Sequence, residues 1–405
     1  MAVFNTRRPF ARSSTIASLI VTLKSKFLRR DVLMQVAVLG ALLLAMVWLV
    51  ANVQSNLERQ NINSGFGFLS ERAGFGINQT LIDYTEDSSF GRVLTVGLLN
   101  TLLVSVFGVF FATVLGFALG VARLSGNWLI NKTAMVYVEI FRNVPLLLQI
   151  MFWYFGVLRN LPSPRKAVSL GDTMFLSNRG IVVPAIEAAS GAGWYVAAFG
   201  LSLAAFIWLR RRARLARLAD GALMPFWRPL LTVVLASIGV AALLAGVPFS
   251  LDVPALKGFN FRGGITVIPE FVALLLALSL YTAAFIAEIV RAGIQSVSKG
   301  QREAAAAFGL PDKTALRLVV IPQALRVIIP PLTSQYLNLT KNSSLAVAIA
   351  YPDIVSVFAG TTLTQVGQAV EIIFITMMIY LSLSLMTSYA MNRYNARIAL
   401  VGQNT

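Results

Sequence analysis

The sequence contains no cysteine and no histidine. Without cysteine there is no disulfide framework and no thiolate metal site. Without histidine there is no Ser-His-Asp triad, no Cys-His nucleophile, no imidazole-ligated zinc and no histidine proton relay. Charge is scarce as well: 13% of residues are Asp, Glu, Lys or Arg, roughly half the share of a soluble domain. A Gly-x-x-x-x-Gly-Lys-Ser/Thr phosphate loop is also missing, so the chain is not itself an ATPase. So low a charge argues against a soluble globular enzyme. Neither catalytic residues nor metal ligands are expected.

What is present is apolar. Of 405 residues, 57% are hydrophobic, and the mean hydropathy is +0.73. This is the composition of a polytopic helical membrane protein, not of a disordered chain or a nucleic-acid-binding domain. The net charge of +17 is then a matter of topology, with the lipid bilayer rather than nucleic acid as the partner.

Uncharged runs predict eight membrane spans: Val32–Val53, Val93–Ala122, Pro145–Leu158, Ala188–Leu209, Pro229–Leu251, Phe271–Ala287, about Val327–Ala350, and Ile372–Asn392. Residues 1–31 read as a basic cytoplasmic tail, 54–92 as a periplasmic loop and 396–405 as a second cytoplasmic tail. The third span has a polar entry, where Glu139 and Arg142 are spaced to pair. In the second, Gly108, Ala112, Gly116 and Gly120 share one helix face, on which a neighbouring backbone can come close. The seventh holds Pro330-Pro331 and a polar cluster from Asn338 to Ser344. Of the 34 Lys and Arg, 23 fall on the side of the N-terminus and 9 in the opposite loops. This bias predicts that both termini are cytoplasmic. The run Arg210-Arg211-Arg212-Ala213-Arg214 then sits just inside a span end, suited to lipid headgroups.

One segment, 291–325, does not read as a connector. Ser298 and Gln301 fit a capping box, Glu303–Ala307 are strong helix formers, and Gly309 with Pro311 stops the helix. Asp312 can cap a second short helix, Lys313–Ile321, ended by Pro322. The alanine stretch offers a low-relief surface for another protein.

These residues carry a resemblance. Glu303-Ala304-Ala305, Gly309 and Val319-Val320-Ile321-Pro322 keep the spacing of the EAA motif of ABC importer permeases. Gly97-Leu98-Leu99-Asn100-Thr101-Leu102, Val138–Leu147, Ala287–Gly293 and Leu339–Leu345 resemble the polar amino acid permeases. The likeness covers roughly 90–158 and 265–395. The span 32–53 and the insertion 159–264, with two further helices, resemble the longer general L-amino acid form.

The resemblance implies an all-α polytopic membrane protein with a five-span type I importer core within 93–395. It implies a non-catalytic permease subunit of an ATP-driven importer of L-amino acids in the bacterial inner membrane. ATP and Mg would be bound by a partner ATPase dimer, with no cofactor in this chain. A second permease, most simply a relative rather than a copy, and a periplasmic binding protein would complete the system. Gln301, Glu303, Ala304, Ala305, Ala307, Gly309 and Leu310 would couple to the ATPase.

Intramembrane polar groups are costly and point to function. Tyr281, Thr282, Glu288, Asn338, Lys341, Asn342, Ser343, Ser344, Gln368 and Glu371 are the candidate substrate path. The structural reading of the same residues is that Glu288 or Glu371 neutralises Lys341 and the hydroxyls bond back to helix carbonyls. The alternative function is an ion-gradient-driven amino acid transporter working through Glu288 and Glu371.

Overall fold

The computed structural model describes residues 30–59, 65–171, 173–188, 191–220, 227–246 and 249–400. Of the expected tails 1–31 and 396–405, residues 1–29 and 401–405 lie outside these. The chain divides into two compact units.

The smaller unit is Met1–Phe68 with Gln365–Glu371. Its helix α1 (Arg30–Arg59) exposes Leu39, Leu43, Val47 and Val50 on successive turns. A helix apolar around its surface suits a lipid environment. The Gly65 N–H donates to the Glu371 carboxylate at 2.8 Å.

The larger unit, Leu69–Thr364 with Ile372–Thr405, contains the bundle. Helix α2 (Phe90–Ala122) is 33 residues long. Helix α3 (Trp128–Asn143) is capped by the Asn127 side chain, which accepts from the N–H groups of Leu129 and Ile130. It meets α4 (Leu146–Met151) at a bend of 105°. Val144 is extended there because Pro145 follows it. The chain continues from α4 through a π turn, Phe152–Val157, and a 3-10 turn, Leu158–Asn160. Among the described residues seven helices are long and apolar enough to cross a membrane, or eight if this bent pair counts as one span. The polar entry is thus a full helix. Glu139 accepts from Asn143 at 3.3 Å while Arg142 lies 5.3 Å from the Phe285 ring centroid, so the expected Glu139–Arg142 pair is not made.

The insertion adds a feature its sequence concealed. Among the described residues seven short strands, with an eighth just after it, accompany the two helices α5 (Ala192–Asp220) and α6 (Trp227–Ala245). Strands β1 (Val168–Leu170), β2 (Met174–Ser177), β3 (Gly180–Val183) and β8 (Ile265–Val267) form an antiparallel sheet in that order. β4 (Ala185–Ala188) pairs with β5 (Phe249–Asp252), and β6 (Ala255–Lys257) with β7 (Asn260–Arg262). The expected spans Ala188–Leu209 and Pro229–Leu251 are therefore shifted: Ala188 and Leu251 lie in strands, while α5 runs past Leu209 and α6 starts at Trp227.

Helix α7 (Pro269–Gln295) lies at the centre of the bundle, burying Leu274, Leu278, Ile286 and Val290. It packs on α2 along the small-residue stripe. A Cβ on Gly116 would stand 2.6 Å from Ile286, and one on Gly120 2.7 Å from Val290. Only glycine lets these backbones approach so closely. Gly108 faces Leu339 of α10 (Ile321–Asn342), and Gly97 faces Ile354 and Val357. Between α7 and α10 come α8 (Lys299–Ala307) and α9 (Asp312–Ala315). After α10 the chain forms a 3-10 segment, Ser343–Ile349, and a π segment, Val355–Thr362, then α11 (Leu363–Val366) and α12 (Ala369–Leu400).

Candidate coupling loop and polar path

Helix α8 is short, nine residues long. Ser298 precedes it but makes no side-chain cap bond, so the expected capping box is not formed. Gln301 instead accepts from Gln323 at 3.3 Å. The far end is a Schellman turn: Leu310 N–H donates to Ala305 O at 3.1 Å and Gly309 N–H to Ala306 O at 2.9 Å. Gly309 has φ +70°, which its lack of a side chain permits. Glu303, Ala304 and Ala307 are exposed, whereas Ala305 is 4% exposed and faces inward. Ala305 thus seats the helix and is not part of its open surface. Phe308, not singled out from the sequence, is 87% exposed.

The second short helix is not separate. Pro311, not Asp312, is the N-cap of α9, and π turn Leu316–Val320 joins it to α10. Pro322 does not end the helix. It lies in the first turn of α10, and the preceding Ile321 N–H reaches back five residues to Leu316 O. The wider turn absorbs the missing proline N–H. The loop is therefore continuous with the long helix α10.

The path candidates separate into two sets. The hydroxyls bond back to helix carbonyls: Thr340 to Tyr336 O at 3.0 Å, Ser343 to Thr340 O at 2.8 Å and Ser344 to Lys341 O at 2.7 Å. Thr282 and Ser343 are buried, and Tyr281 packs on Phe285 with ring centroids 4.9 Å apart. Asn338 and Lys341, by contrast, are exposed and share a face of α10 with exposed Ser334. Ser334 is a path candidate that helical spacing could have revealed.

The expected neutralisation of Lys341 is not made. Glu288 is held by Arg123 and Arg291. Glu371 accepts from Gly65. Among the described residues no carboxylate lies within ion-pair distance of Lys341. Gln368 is 8% exposed, with its side-chain oxygen unpaired among the described residues.

A second polar cluster, not among the candidates, lies where the helix after α10 breaks. Ala350 has φ +54°, and Tyr351 and Asp353 are fully buried. Asn100 donates to the carbonyls of Gln79 and Pro352, both at 2.9 Å. Tyr351 donates to Asn100 O at 3.1 Å, and Ile354 N–H to Thr101 Oγ1 at 3.1 Å. Asp353 Oδ1 accepts from Ser356 N–H at 2.8 Å, capping the next helical turn. An Asn-Thr pair inside an apolar run was the signal for it.

A bundle of helices long and apolar enough to cross a membrane, with an exposed helical loop continuous with one of them, defines a polytopic integral-membrane protein. The chain belongs to the family of binding-protein-dependent transport system inner membrane components, whose model matches residues 108–399. It is 56% identical to YhdX of Escherichia coli (strain K12), over 87% of this chain and 90% of that one. It is 52% identical to the general L-amino acid transport system permease protein AapQ of Rhizobium johnstonii, over 89% and 90%. With the glutamate/glutamine/aspartate/asparagine transport system permease protein BztB of Rhodobacter capsulatus the identity is 44%, over 92% and 94%. Membership makes the chain a non-catalytic permease of the inner membrane, dependent on a binding protein and on a separate ATPase. The gradient-driven alternative falls with it.

Proposed function

We propose that this permease carries L-amino acids inward, that α8 docks on the ATPase and that both termini are cytoplasmic. The substrate class is supported by the similarity to AapQ and BztB. Docking is supported by one observation above others: α8 presents Glu303, Ala304, Ala307 and Phe308 outward beside a helix continuous with α10. ATP and Mg belong to the ATPase.

The path is assigned to the Ser334–Asn338–Lys341 face. A bare ammonium does not face lipid. This face therefore meets a second permease across a polar passage, in which Lys341 meets the substrate carboxylate. A relative rather than a copy is the proposed second subunit.

Tagging the chain, extracting it in mild detergent and identifying what stays bound tests the assembly. An ATPase and a second permease are expected. A chain that emerges alone where known importers stay intact would remove the docking reading. Glu303→Lys should insert normally yet break the link between ATP hydrolysis and uptake.

A further inference from the structure

The ion pairs around Glu288 stand at one end of the closest helix contact in the bundle. Glu288 lies on α7, two turns before that helix ends at Gln295. Its carboxylate receives Arg123, the residue just past the end of α2, and Arg291, one turn along α7. Arg291 also donates to Gln295. The Arg123 carbonyl accepts from Asn131 of α3. The Arg123 and Glu288 side chains are 14% and 27% exposed, so water screens the pair only in part.

Above this cluster, Gly120 meets Val290 and the Ala287 carbonyl, and Gly116 meets Ile286 and the Ala283 carbonyl. These contacts advance together along both helices, so α2 and α7 run side by side in one direction. Below it, α7 leads through Ser296 and Ser298 into α8, and Arg302 of α8 donates to Ile294 O of α7 at 3.2 Å. A largely apolar cleft at this end is lined by Val121 and Ala122 of α2 and by Leu316, Leu325 and Ile328 of the limb. At this end α2 therefore gains its firm hold from α7.

We infer that Arg123, Glu288 and Arg291 are positioning residues that lock α2 and α7 into one rigid lever moved by α8. The glycine gaps seat Ile286 and Val290 and set the spacing of the two helices, without a polar tie between them. A carboxylate shared by two guanidiniums, one from each side of the contact, fixes register and rotation. Displacement of α8 then reaches α2 without loss, and with it the Asn100 and Thr101 contacts at the opposite end. This rests on α8 docking the ATPase.

The absence of cysteine makes the test direct, because Arg123→Cys and Glu288→Cys introduce the only thiols in this chain. The double variant, purified with its bound subunits, is reconstituted with the binding protein and a mixture of radiolabelled L-amino acids. Bound ATPase and ATP hydrolysis should persist while uptake per ATP falls about ten-fold. A short bifunctional methanethiosulfonate joining the two thiols should then restore most of it. Arg123→Lys with Glu288→Asp, which keeps both charges, should transport nearly as the wild type does.

Undiminished uptake before cross-linking would overturn the inference. So would a cross-linked protein that stays inactive while reagent-treated single-cysteine controls do not lose activity, because α2 and α7 would then have to part. If wild-type chain retains no ATPase, the docking reading fails first and takes the lever with it.

Discussion

The Asn100 side chain donates to Pro352 O at 2.9 Å across 252 residues of sequence, and the same nitrogen reaches Gln79 O. One amide thus joins α2 to the loop before it and to the helix break after α10. Asn100→Ala would leave two carbonyls without this donor at a fully buried site. A loss of about 1–3 kcal/mol is expected. Thermal unfolding of the purified protein in detergent should show it, and an unchanged midpoint would contradict the role.

Asp353 caps the turn at Ser356 with one carboxylate oxygen while no cation pairs with it among the described residues. The cap needs an acceptor rather than a charge. Asp353→Asn should therefore fold as well as the wild type, whereas Asp353→Ala should cost about 0.5–2 kcal/mol. Equal losses in the two variants would show that the charge itself matters.

Gly116 and Gly120 set the distance between α2 and α7. Gly116→Ala places a methyl group 2.6 Å from Ile286 and 3.0 Å from the Ala283 carbonyl, which as backbone cannot swing aside. Overpacking of this kind costs about 1–3 kcal/mol. Gly200→Ala in α5, where nothing lies within 4 Å, is the control and should be neutral or slightly stabilising. A melting series in one detergent decides between them.

Phe308 should carry a disproportionate share of ATPase binding. Its truncation to alanine removes an exposed anchor and no internal packing. A loss of about 2 kcal/mol, close to thirty-fold in affinity, is expected. Ala305→Glu is different: it buries a charge beneath α8 and should lower the yield of folded protein. Retention of ATPase by Phe308→Ala at the wild-type level would move the docking surface elsewhere.

Lys341 is exposed on α10 and lacks a carboxylate partner among the described residues. Lys341→Ala should leave insertion and thermal stability unchanged while lowering uptake several-fold. Loss of stability together with uptake would point to a packing role at the second permease instead.

The spans were legible because twenty-residue apolar runs have few other uses. The short helix α8 and its stop were legible because Gly309 and Pro311 punctuate the chain there. The strands were not: Val168-Ser169-Leu170 is three exposed residues, too short for alternation to register. Pro322 read as a stop because a π turn five residues back cannot be seen in composition. Glu288 read as a path residue because its partner Arg123 is 165 positions away. Ala305 read as surface because four consecutive alanines hide which one points inward.

The ribbon of β4 and β5 has a consequence for how this chain came to be longer than the short permeases it resembles. Ala188 and Phe249 are paired across it, so the hairpin of α5 and α6 leaves and re-enters the chain at one point. Whatever lies between those partners is an excursion, whose length and sequence can change without altering the spacing of the flanking chain. Such a junction permits growth by accretion: an ancestral turn could lengthen into a membrane hairpin while the bundle beside it kept its connectivity. The same geometry makes the hairpin removable, with a tight turn enough to close the ribbon.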